Sequence, residues 1–240
     1  MRVAFLICVE NGLLYDETWR TWLEYVPSHE FLVLVHARRP GDLRDGSFAA
    51  EHLIDVNITA LQTEGELDDP AKFAAARDNY DVHRLLLNKA LQSEEDDNPV
   101  THFVFCDSDS IPIKSFEQVC SYLATTTNGG EYSLIQFCPH QISTEAGRKV
   151  LHMALVKYIH ALRQHPEFAR DIPVTHWYWH SKFTIFCREH AQTLCTDNKM
   201  CALLPTYKIA NVCTHYPMLV LSQIHGNEIV NVPTTFEAWG

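Results

Sequence analysis

Short apolar runs alternate with helical patterns along this sequence, and that alternation constrains the fold more than any other feature. "VAFLICV" (3–9), "EFLVLVHA" (30–37), "THFVFCD" (101–107), "SLIQFCP" (133–139) and "KFTIFC" (182–187) are short and rich in β-branched and aromatic residues, so they read as strands. Several lack a polar face, which suits strands covered on both sides. Between them, "DETWRTWLEYV" sets Trp19, Trp22, Leu23 and Val26 on one helical face, and "YDVHRLLLNKAL" repeats the pattern with Val82, Leu85, Leu86 and Leu91. "SFEQVCSYLA" opens with Ser115 at the N-cap position, and "RKVLHMALVKYIHALRQ" makes a longer amphipathic helix. Strands alternating with helices predict an α/β fold with a mixed, mostly parallel sheet flanked by helices. No repeat or linker composition interrupts the pattern, so residues 1–240 read as a single domain.

Composition narrows the function. A formal net charge of −11 argues against nucleic acid as a partner, since such proteins carry a basic face. No apolar stretch reaches the roughly 18 residues of a membrane span. "MRVAFLICVE" lacks a small-residue cleavage site, so the chain as it stands reads as cytoplasmic, or as Golgi or secretory if a membrane anchor lies outside it. Of the eight cysteines, Cys8, Cys106, Cys138 and Cys187 sit inside apolar runs and none forms a C-x-x-C pair, which reads as buried thiols of a reduced core. The fourteen histidines are scattered and form no H-E-x-x-H.

The stretch "FVFCDSDSIP" (103–112) carries the strongest chemical signal. An apolar strand ends in Asp107 and Asp109, flanking Ser108, with Pro112 stiffening the exit. Ligands of open α/β sheets bind beyond the carboxyl ends of the strands. In extended chain an i, i+2 pair points to one side, and two like charges so placed need a cation or donors between them. A hard divalent ion, Mn²⁺ or Mg²⁺, bridging to a substrate diphosphate satisfies both requirements. A solvated turn is the plain alternative. A dehalogenase-type phosphatase also places D-x-D after a strand, but the downstream acidic pair it needs is missing. A nucleotidyltransferase would carry a glycine-rich loop where this chain has "VENGLLYDE".

The ordered set of segments resembles the core-2/I-branching glycosyltransferases, which include β-1,6-N-acetylglucosaminyltransferases and peptide O-xylosyltransferases. The resemblance runs through the opening 2–40, "RLLLNKAL", "HFVFCDSDSIPIKSFEQVCSYL", "HSKFTIFCREHAQTL" and the closing "VPTTFEAW". It implies a GT-A-like fold, a nucleotide-sugar donor, a glycan or glycoprotein acceptor, and transfer with inversion as the expectation to test. Two departures matter. Asp107, Ser108 and Asp109 stand where the family has S-E-S and works without a metal, and Thr214 in "CTHYPML" stands where its catalytic glutamate falls. His215 is the nearest proton acceptor and the expected base.

The remaining expectations follow from position. Glu10, with Asn11, ends the first strand where a base would lie. Arg38, with His36 and Arg39, follows the second strand within reach of ribose or phosphate. Arg84 matches a family arginine that approaches the diphosphate or pairs with a carboxylate. Trp177, Trp179, Ser181 and Lys182 in "THWYWHSKF" form the expected acceptor subsite, because sugar rings stack on aromatics; core packing is the alternative reading. His225 is the expected third metal ligand beside Asp107 and Asp109. A non-catalytic nucleotide- or glycan-binding module remains the rival from another class.

Overall fold

A computed structural model describes residues 1–54, 70–93, 98–138, 145–206 and 214–232; the side chains of 70–80, 145–147, 150, 182, 205 and 206 lie outside that description. Six strands form one sheet in the order β2-β1-β3-β5-β4-β6. They are β1 (Arg2–Val9), β2 (Phe31–Ala37), β3 (Val100–Asp107), β4 (Ser133–Phe137), β5 (His180–Cys187) and β6 (Ile229–Val230). β1 pairs parallel with β2 and β3, and β4 pairs parallel with β6, whereas β5 runs antiparallel to both β3 and β4. The expected mixed, mostly parallel sheet flanked by helices is therefore present, with β5 the reversed member among the described strands.

The apolar runs lack alternation because both sheet faces are covered. Ala4 and Leu6 of β1, Leu34 of β2, and Phe103 and Phe105 of β3 face α3 (Pro70–Gln92), α5 (Glu145–Gln164), α7 (Arg188–Thr196), α8 (Lys199–Thr206) and α9 (Tyr216–Ile224). Val3, Phe5 and Ile7, with Val33 and Val35, face α1 (Asp16–Leu23), α2 (Phe48–Glu51) and α4 (Phe116–Thr126). On the first face Val82, Leu86, Leu87 and Ala90 are the buried positions of α3, spaced as a helical stripe requires. On the second, Trp19, Trp22 and Phe116 surround Phe5 edge-on at 5.3–6.5 Å between ring centroids. Ser115 caps α4 as expected: its hydroxyl accepts from Gln118 N–H while the Gln118 side chain accepts from Ser115 N–H.

"YPMLVLSQI", a segment to which the sequence assigns no element, is helix α9 and buries Tyr216, Met218, Leu219, Val220 and Leu221. A helix apolar on all sides belongs in a core, and Pro217 in its first turn costs no hydrogen bond.

The seven described cysteines are free thiols. Burial pushes the Cys106 thiol up to about 12 and the Cys195 thiol up to about 11, so both act as small apolar groups rather than nucleophiles. No helix among the described residues is long and apolar enough to cross a membrane.

Candidate active site

Asp107 is the last residue of β3, and the chain turns at once. The Asp107 carbonyl accepts from Ser110 N–H at 3.1 Å, and the Asp107 N–H donates to Ser110 Oγ at 2.9 Å. Asp107 and Asp109 thus occupy the first and third positions of a hydrogen-bonded turn rather than an extended i, i+2 pair. The extended geometry expected from sequence is replaced because a serine three residues on satisfies both backbone groups of Asp107. Asp107 and Ser108 are half-buried and Asp109 is exposed.

The turn is held from α1. Trp19 Nε1–H donates to the Ser110 carbonyl at 2.9 Å, Trp22 Nε1–H to the Lys114 carbonyl at 2.7 Å, and Leu14 N–H to the Ser108 carbonyl at 2.9 Å. Just before Leu14, Gly12 takes φ +150°, a conformation that L side chains rarely adopt.

Register puts further residues beside Asp107. Cys8 of β1 stands opposite Asp107 on one side and His36 of β2 on the other. In a parallel sheet these three share a face. Beyond them Arg38 N–H donates to the Val9 carbonyl and Arg39 N–H to the Glu10 carbonyl. The Glu10 carboxylate lies 3.6 Å from Arg38 Nη1 and 3.4 Å from Arg39 Nε. Glu10 is therefore engaged with the arginines of this rim, and an incoming phosphate would compete with it for them.

The antiparallel ladder brings the aromatic segment to the same end. β3 and β5 pair through His102↔Cys187, Phe103↔Phe186 and Val104↔Ile185, so the start of β5 at His180 lies toward the carboxyl end of β3. Trp179, just before β5, is half-buried, and its carbonyl accepts from Cys138 N–H at 2.9 Å. The Lys182 side chain lies outside the described residues.

Four expected roles are corrected by packing. Trp177 is 1% exposed, donates from Nε1 to the Ala154 carbonyl at 2.9 Å and packs with Tyr158 and Phe168, so it is a core residue. Ser181 is 2% exposed and its hydroxyl accepts from Phe183 N–H, so it is packed inside the protein rather than offered on the surface. Arg84 lies on α3 and donates to the Cys195 carbonyl and to Cys201 Sγ, each at 2.7 Å, tying α3 to α7 and α8 instead of reaching into the rim. His225 sits at the opposite end of the sheet. Its neighbourhood includes Cys187, level with His102 and five residues from Asp107, or roughly 16 Å along the strand.

His215 joins the right end of the sheet in an unsuitable state for a base. Its ring is fully buried and stacks on Trp177 at 4.2 Å between centroids. Nδ1 bonds the Tyr178 carbonyl at 2.8 Å, so the proton is on Nδ1 and Nε2 keeps its lone pair. Burial pushes its pKa down to about 3 despite that bond, with the charges of Lys157 and His180 adding to the effect. Nε2 of His215 and of the equally buried His180 bond nothing among the described residues.

His225, expected from the sequence as a metal ligand beside Asp107 and Asp109, is instead grouped with two residues the sequence did not single out as ligands. His190, His225 and Glu228 place their ligand atoms within 4.8 Å of one another. The one local signal was the H-x-x-E spacing of His225 and Glu228; His190 comes from another helix and only the fold supplies it.

No curated protein matches this chain. The model of the family described as Core-2/I-Branching enzyme matches residues 3–240. That span takes in β1, the Asp107 turn, the aromatic segment and α9, and on it the chain belongs to the core-2/I-branching glycosyltransferases.

Proposed function

We propose that the chain transfers a sugar, with inversion, from a nucleotide-sugar donor to a hydroxyl of a glycan, a protein or a small acceptor. The observation that carries the reading is the Asp107–Ser110 turn, fixed by two tryptophans at the carboxyl edge of the sheet in a chain of this family. Arg38 and Arg39 supply positive charge on the adjacent rim, and half-buried Trp179 is the acceptor-side aromatic that packing leaves available. Asp107 and Asp109 fit a divalent ion in donor chemistry: two carboxylates, one anchored on a strand and one exposed to the substrate, with the diphosphate supplying further oxygens. Such an ion would neutralise charge on the leaving diphosphate.

Release of free nucleoside diphosphate from uridine- and guanosine-diphosphate sugars tests the reading. Turnover with one donor that Asp109→Ala reduces at least tenfold is expected. Titration calorimetry with the same donor should show binding strengthened by Mn²⁺ or Mg²⁺ and weakened by EDTA. Donor binding indifferent to EDTA in wild type and Asp109→Ala alike removes the metal from the proposal. A second reading, a binding module without turnover, is favoured by one observation: Thr214 and the buried His215 occupy the segment of the family's base. Saturable donor binding with no product from any donor would establish it.

A further inference from the structure

The far end of the sheet gathers donors that the transfer reaction does not use. Ser133 opens β4 and Cys187 closes β5, and Cys187 N–H donates to Ser133 Oγ at 2.9 Å. α7 starts there and delivers His190, whose Nδ1 lies 2.6 Å from the same hydroxyl. His225 ends α9, and Glu228 ends the 3-10 turn Gly226–Glu228 that leads into β6. Glu228 Oε2 stands 3.2 Å from His190 Nε2 and 2.8 Å from His225 Nδ1.

We propose that His190, His225 and Glu228 form a site for a transition-metal ion of the zinc type, remote from and independent of the sugar-transfer rim. Two imidazoles and one carboxylate are the donor set such ions prefer, whereas Mg²⁺ and Ca²⁺ favour oxygen alone. Bonds of about 2.0–2.2 Å in a tetrahedral site separate ligand atoms by roughly 3.3–3.5 Å, so side-chain shifts of about an ångström admit the ion. The two histidines are buried, while the Glu228 side chain is 43% exposed. One side of the site therefore opens to solvent, leaving room for a water as fourth ligand.

The second contacts of the rings suit this role. A ligating imidazole turns its lone pair to the metal and carries its proton on the other nitrogen. That other nitrogen faces Ser133 Oγ in His190 and Thr193 Oγ1, at 3.2 Å, in His225. A hydroxyl accepts as well as donates, so each holds its ring in the ligand tautomer. Ser133 is arranged for this: its hydroxyl donates toward Cys187 Sγ at 3.6 Å, leaving its oxygen to accept from Cys187 N–H and from His190 Nδ1–H. Without an ion, both rings would instead donate N–H to Glu228, and the same hydroxyls would reverse.

Chelator-treated full chain titrated with Zn²⁺ separates the two states. Calorimetry should give one ion per chain with a dissociation constant of about a micromolar or tighter, no comparable binding of Mg²⁺, and visible absorption of four-coordinate cobalt when Co²⁺ is added. Glu228→Gln should weaken Zn²⁺ at least about tenfold, and Thr193→Val, which removes only the outer hydroxyl, about tenfold. Circular dichroism identifies any variant that fails to fold; Glu228, half-exposed, is the one whose replacement leaves the core intact. No saturable binding up to about a hundred micromolar overturns the proposal, as does full affinity retained in folded Glu228→Gln, which would assign the ion to other histidines.

Discussion

A general base must come within about 2.6–3.2 Å of the proton it takes, directly or through one water. His215 has the right tautomer and lies at the right end of the sheet, but the Trp177 ring covers it and burial holds its pKa near 3. His215→Ala is therefore expected to keep kcat within about threefold of wild type per folded molecule, where loss of a true base costs about 10²- to 10⁴-fold. Its melting temperature should fall, because the stacking partner of Trp177 is gone. Steady-state turnover beside a thermal melt reads both, and a hundredfold loss of kcat in a folded variant would return the base to His215. The contrast with Asp107 shows what was legible residue by residue. A carboxylate ending an apolar run must stand at a strand terminus, so local pattern was enough. Whether a histidine is covered depends on neighbours from distant elements, which no local pattern encodes. Trp177 was misplaced for the same reason, and Glu228 is joined to His190 only by the packing of α7 against α9, whose end leads into the turn Gly226–Glu228.

At the scale of elements, α1 is both a core helix and the brace of the Asp107 turn. Trp19→Phe keeps most of the apolar surface but removes the bond to the Ser110 carbonyl. Donor KM should rise several-fold with circular dichroism unchanged; an unchanged KM would show that the turn holds itself. Ser115→Ala removes the capping box of α4 and should lower stability by about 1 kcal/mol, read from urea midpoints, with donor affinity unaffected. The five long strands and the helices built on clear apolar stripes were readable because periodicity and capping are local. α9 was not, since an all-apolar helix has no stripe to count. Nor was the reversed direction of β5, because direction is set by the path of the connecting chain and leaves no mark on the strand itself.

The whole molecule carries an acid sensitivity that its separate parts do not announce. Burial lowers His102 and His180 to about 4 and His215 to about 3, from an ordinary value of 6.5. Between these values and 6.5 the unfolded chain binds protons that the folded chain refuses, so stability is full above about pH 6.5 and falls as pH drops toward 4. A tenfold shift in protonation is worth about 1.4 kcal/mol, so the three sites together remove on the order of several kcal/mol. Urea midpoints taken from pH 7.5 down to 4.5 should decline over this window, and less steeply in His102→Gln. A flat profile would mean that the rings are hydrated in solution. The strand order has a consequence of another kind. β2-β1-β3 come from the first part of the chain and β5-β4-β6 from the second, and they meet along β3 and β5 at His102↔Cys187, Phe103↔Phe186 and Val104↔Ile185. The passage between them runs through the turn at Asn128–Gly130, where three successive residues take positive φ. A chain severed there would yield two fragments, each with an open strand edge and a bare apolar face, prone to aggregate alone and able to complement one another when made together. Fused to two other proteins, such halves would make a split enzyme whose regained turnover reports that its passengers have met.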